Sequence, residues 1–161
     1  TAHELGRLYA PGLAALGLDP SLVVVVETRR ARDTLWAIEE GLRSRGLALV
    51  IGHVERLTLT AARRLSLAAE AHQTPALLLT HPHAPPCAAT ATRWRIGRSS
   101  SAPHPFDTRA PGDPRYTVLL ERSRAGGGGL PSRPLTLEWC GDTQRFRVAA
   151  ETRPTLVAHP H

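Results

Sequence analysis

A chain of 161 residues has the length of one domain and can bury a core of ordinary size. Two cysteines exclude a disulfide framework, and no apolar run is long enough to cross a bilayer. The formal charge is +6 and all 20 basic residues are Arg; residues 81–161 carry 11 Arg against 6 acids, while residues 1–80 nearly balance at 9 against 8. Such a lopsided excess points to an anionic partner, nucleic acid or an acidic protein surface, with a solvated surface as the alternative. The chain starts at Thr1 and lacks Met, which reads as a piece of a longer or processed protein; with no leader in view, a cytoplasmic home is expected.

In chain order, residues 3–18 carry helix-like apolar spacing broken at Pro11-Gly12. Leu22–Glu27 (LVVVVE) predicts a strand, because consecutive β-branched residues pack well on a pleat and poorly in a helix. Arg30–Arg45 predicts a helix with Ala31, Leu35, Ile38 and Leu42 on one face, Glu39 and Arg43 paired on the flank, and Gly46 as a left-handed cap. Trp36 lies off that stripe, packed under a loop or serving as an interface anchor. Leu47–Val54 (LALVIGHV) reads as a central parallel strand buried on both faces. A second helix is expected over Ala61–His72, capped by Thr60 and lined by Leu65, Ala68, Ala69 and His72. Pro75 ends it, and Ala76–Thr80 supplies a third buried strand. The expected sheet therefore holds Leu22–Val26, Leu47–Val54 and Ala76–Leu79 side by side.

At His81 the texture changes to a Pro-rich connector, HPHAPPCAATAT. Arg93–Ile96 alternates, with Trp94 and Ile96 inward and Arg93 and Arg95 outward. A loop over 98–114 follows, then an alternating strand Arg115–Arg122, a glycine run at 126–129, alternating Leu135, Leu137 and Trp139, a turn at Gly141-Asp142, and alternating Phe146 and Val148. These are antiparallel strands with one wet face. The expected organisation is one truncated domain over 1–150, with a parallel half (1–81), antiparallel strands (91–150) and a loose tail (151–161).

The order of parallel β/α units followed by antiparallel strands resembles the core of the RecA recombinases from their third strand onward. The chain departs from that pattern at its chemistry. Where those proteins place a magnesium-directing aspartate, this strand has Gly52, or His53 one residue on; where they place a phosphate-sensing glutamine, it has Thr80 and His81. No G-x-x-x-x-G-K-[ST] occurs, and the segments matching the mobile DNA-binding loops are short, 55–60 and 82–92. In closer detail the chain resembles the ImuA family of RecA-like, SulA-like accessory proteins. The resemblance runs through DTLWAIEEGLRS (Asp33–Ser44), LALVIGHVERLTLTAARRLSLAAEA (Leu47–Ala71), RWRIGRSS (Arg93–Ser100), RYTVLLERSRAG and LTLEWCGDTQRFRV. It implies a RecA-like α/β fold and a non-catalytic role in SOS-induced translesion synthesis. The implied partners are an ImuB-type polymerase-like protein, RecA and an error-prone polymerase. A SulA-like division inhibitor is the alternative, since that likeness stops near His81; the back half of an active RecA-like ATPase is another.

Among candidate constellations, His81, His83 and Cys87 are close in sequence but lack the second ligand pair that zinc sites use. No nucleophile elbow is present, and Glu27 is the one carboxylate at a predicted strand end. No catalytic group, cofactor or metal is expected. The outward arginines Arg93, Arg95, Arg98, Arg122, Arg145 and Arg147 are the candidate docking face for a protein or for DNA.

Overall fold

The computed structural model describes residues 8–101, 104, 106–107, 109–124 and 133–149. Its helices are α1 (Ala10–Ala15), α2 (Ala31–Arg43) and α3 (Leu59–His72), with a 3-10 turn at Pro20–Leu22. Its strands are β1 (Val50–Val54), β2 (Ala76–Thr80), β3 (Thr92–Ser99), β4 (Arg115–Ser123), β5 (Leu135–Cys140) and β6 (Arg145–Val148). The fold is α/β, but the strands form two separate sheets: β1 and β2 pair in parallel, and β3-β4-β5-β6 form an antiparallel meander. The glycine run at 126–129 and the tail at 151–161 lie outside the described residues.

Pro11 stands in the first turn of α1, where its missing N–H costs nothing, so the expected break is where this helix begins. The strand expected over Leu22–Glu27 does not form. Leu22 ends a 3-10 turn that Asp19 caps by accepting the Ser21 N–H at 2.9 Å. Val23–Val26 then run without a ladder partner among the described residues, and Val24 is 76% exposed. β-branching favours an extended backbone, but a strand also needs a neighbour, and among the described residues β1 pairs only with β2.

The core of this half lies between α2, α3 and β1. Ile38, Leu42, Val50, Val54, Leu65 and Ala68 form one buried cluster, with Leu35, Leu57, Ala69 and Leu78 against it. Leu35, Ile38 and Leu42 of the expected stripe are there, whereas Ala31 is exposed. Trp36 is 63% exposed, so it packs under no loop. β1 is also not buried on both faces: Val50, Gly52 and Val54 face the helices, while Ile51 and His53 face outward. In β2, Leu77 and Leu79 are likewise about half exposed, at 47% and 48%, because no second helical layer covers that side among the described residues. Among the described residues the three apolar runs are thus a pair of strands plus a segment outside any ladder.

Two helix ends differ from expectation. α3 is capped by Thr58, whose hydroxyl accepts the Ala61 N–H at 3.2 Å, two residues before Thr60. After α2 the left-handed position is taken by Arg45, at φ 56°, and not by Gly46. Glu39 pairs with Arg43 at 2.7 Å as expected, but it is buried and also binds Arg64 of α3, fastening the two helices together.

Candidate functional site

Two places invite a functional reading: the end of β1, and the arginine-bearing face of the antiparallel sheet. At β1, Gly52 pairs with Leu78 and lies beneath α2. A Cβ there would come within 2.8 Å of Ile38 Cγ1 and nearer still to Cδ1. The position matching the recombinase aspartate is therefore inside the core, closed by Ile38. His53, the alternative register, points to the exposed side.

In the antiparallel sheet, cross-strand partners share a face and neighbours along a strand alternate. The register pairs Trp94 with Leu120, Ile96 with Val118, Arg98 with Tyr116, Tyr116 with Leu137, and Trp139 with Phe146. That face is apolar, with Phe146 packed edge-on against Tyr116 and Trp139 at 6.0 and 4.9 Å between ring centres. Trp94 and Ile96, expected inward, lie on this face but at the sheet's edge, 45% and 67% exposed.

The opposite face gathers Arg93, Arg95, Arg122, Arg145 and Arg147, together with Arg115. Arg98 stands apart on the apolar face. The arginines are not simply displayed to solvent. Arg93 and Arg95 each donate Nε–H to the Glu121 carboxylate, at 2.6 and 2.5 Å, across a bulge between Arg93 and Trp94 in the β3–β4 register. Arg115 and Arg147 hold the buried Glu138 from either side, Arg115 at 2.6 Å. Arg93 also donates to the Ala84 carbonyl and Arg122 to that of Cys87, tying the Pro-rich connector to the sheet. Arg98 and Arg145 are exposed and make no ion pair among the described residues.

Glu121 and Glu138 are the residues that sequence reasoning missed. Their place in the same alternation was the available signal; the bulge and the three-strand convergence on Glu138 were not. Both are held below their ordinary carboxyl value of 4.5, Glu121 chiefly by the hydrogen bond from Arg95 and Glu138 chiefly by that from Arg147. A lowered folded value means these pairs stabilise the sheet fully above pH 4.5 and lose that contribution as pH falls through the lowered value. Acid is therefore expected to loosen the sheet below that point, with less pH dependence in Glu138→Gln, as followed by Trp fluorescence.

Between the connector at 82–86 and Arg93, Arg95 and Glu121 lies an open groove of about 410 Å³. The His81 and His83 rings lie 5.4 Å apart, tilted at 44°, in that connector, and Cys87 is free. Among the described residues no group of three or more His, Cys, Asp or Glu is placed to hold a metal ion. No described helix is long and apolar enough to cross a membrane. The carboxylates on the arginine face are committed to ion pairs, so the chemistry this face offers is recognition of anionic or acidic groups through guanidinium donors.

No protein-family model matches the chain. Two curated proteins called "Protein ImuA", from two strains of Caulobacter vibrioides, are each 35% identical to it over 132 residues. The match takes in 76% of this chain and 54% of each relative, so the chain spans about half the length of the curated relatives it matches.

Proposed function

The chain belongs to the ImuA family, and from that premise we propose that it is part of a non-catalytic accessory protein of SOS-induced translesion DNA synthesis. Its partners are an ImuB-type polymerase-like protein, RecA and an error-prone polymerase, and its place of work is the cytoplasm. Gly52 carries the non-catalytic half of the reading: with Ile38 packed over it, that point of the strand has room for no acid. The arginine face, with Arg93, Arg95, Arg122, Arg145 and Arg147, is the docking surface, and Arg98 extends it around the edge of β3. DNA is a second candidate ligand for the same guanidinium groups.

The test is binding of the purified chain to an ImuB-type protein and to RecA, with ATP turnover measured alongside. Binding to at least one partner without turnover is expected. A folded chain that binds neither, or that hydrolyses ATP, overturns the proposal. Arg98→Glu and Arg145→Glu break no ion pair among the described residues. Together they are expected to weaken partner or DNA binding at low salt while leaving the melting temperature nearly unchanged.

A further inference from the structure

Among the described residues β3 is hydrogen-bonded on one side only: its eight residues pair with β4 from Thr92↔Ser123 to Ser99↔Arg115, and no described strand pairs with its other edge. An open edge presents a row of unpaired N–H and C=O groups, and proteins normally blunt it with Pro, Lys or a bulge. β3 contains neither Pro nor Lys, and the bulge lies between it and β4, away from the open side. Among the described residues, what guards the edge is arginine.

We propose that this edge takes in an extended strand from an acidic partner whose residues alternate between apolar and Asp or Glu. The two faces of β3 dictate the alternation. On one, Trp94 and Ile96 are 45% and 67% exposed and continue the apolar surface of Val118 and Leu120, so an added strand would extend it with apolar side chains. On the other, Arg95 meets Glu121 through Nε, and its side chain remains 55% exposed, open to a second carboxylate. Arg98 lies on the apolar face, outside this alternation, and its exposed charge acts only as long-range attraction to an acidic strand. Main-chain hydrogen bonds give such a strand affinity, and the alternating side chains give it specificity.

Charge decides between occupants. Two copies of this chain joined through β3 would set arginine against arginine, and like charges facing each other across a ladder are destabilising. The excess of 11 Arg over 6 acids in residues 81–161 adds long-range repulsion between copies and attraction to an acidic strand. The inference narrows the accessory-protein reading to one edge and rests on it only in taking this surface for a docking surface.

The probe is a synthetic peptide of β3's length alternating Val and Glu, beside a Val/Arg twin and an order-scrambled Val/Glu twin. Binding to the full chain is read by anisotropy and by amide hydrogen exchange. The Val/Glu peptide is expected to bind, to slow exchange in β3, and to weaken with salt. Arg95→Glu and Ile96→Asp are each expected to lower its affinity about tenfold or more, and Arg95→Glu to favour the Val/Arg twin. Equal binding of the twins, protection at β2 or β6 in place of β3, or no binding by a folded chain would overturn the inference. So would a stable dimer closed through β3. Because no ImuB-type protein or RecA is present, failure here leaves the family-based proposal standing, and failure of that proposal leaves this result readable.

Discussion

Gly52→Asp is expected to cost the chain much of its stability and to create no metal site. The substitution puts an acid at the position that the resemblance to the recombinases matches, in one of its two registers, with their magnesium-directing aspartate, so it tests packing and function together. A side chain there must displace Ile38, whose Cγ1 lies 2.8 Å from the nearest possible Cβ. Overpacking of this kind costs about 1–3 kcal/mol. Burying a carboxylate between Ile38 and Leu78 without a donor adds about 2 kcal/mol or more. The sum, on the order of 3–5 kcal/mol, is a large share of the roughly 5–15 kcal/mol that holds a domain folded. The measurement is a urea midpoint with and without magnesium. A lowered midpoint that magnesium does not restore is expected, with partial recovery in the Gly52→Asp, Ile38→Ala double variant, where space is returned. A variant as stable as the parent that binds magnesium–ATP would undo both the packing and the non-catalytic reading.

What could be read from the sequence was local, and what could not depended on neighbours. The α2 stripe was legible because Leu35, Ile38 and Leu42 are set by helical period alone. Ala76–Thr80 was legible in its bounds, since Pro75 fixes its start, but not in its burial, which needs a second covering layer. Val23–Val26 failed for the same reason: composition says extended, and only a partner strand would make it a ladder. The caps show a finer limit. Thr58 and Thr60 both carry a hydroxyl suited to capping, and Arg45 takes a left-handed position although Gly46 stands next to it. At the candidate docking face five of the six expected arginines share one side; Arg98 has the parity of Trp94 and Ile96, so alternation itself sets it on the apolar side, and Arg122 joins the others only through the bulge in the β3–β4 register. Their pairing with Glu121 and Glu138 comes from strands 23 or more residues apart, apart from the nine-residue span between Arg147 and Glu138.

Leu42→Ala should have an effect as large as that of Gly52→Asp, and confined to half of the molecule. Leu42 is the largest side chain with no exposed surface, at the centre of the cluster joining α2, β1 and α3. Truncating such a leucine costs about 2–5 kcal/mol, in proportion to the cavity that remains. The two sheets share no ladder. The connector joins them through polar contacts: Ser66 Oγ–H donates to the Ala89 carbonyl, Arg93 to that of Ala84, and Arg122 to that of Cys87. The Glu121 and Glu138 ion pairs and the Tyr116–Phe146–Trp139 contacts all lie within the antiparallel sheet. Amide exchange in α2, β1 and α3 is therefore expected to accelerate by about thirtyfold at the lower cost, while β4 and β5 change far less. Mass-resolved hydrogen exchange separates the two outcomes. An equal rise in both halves would mean that they open as one cooperative unit, and that the connector couples them as firmly as a shared core would.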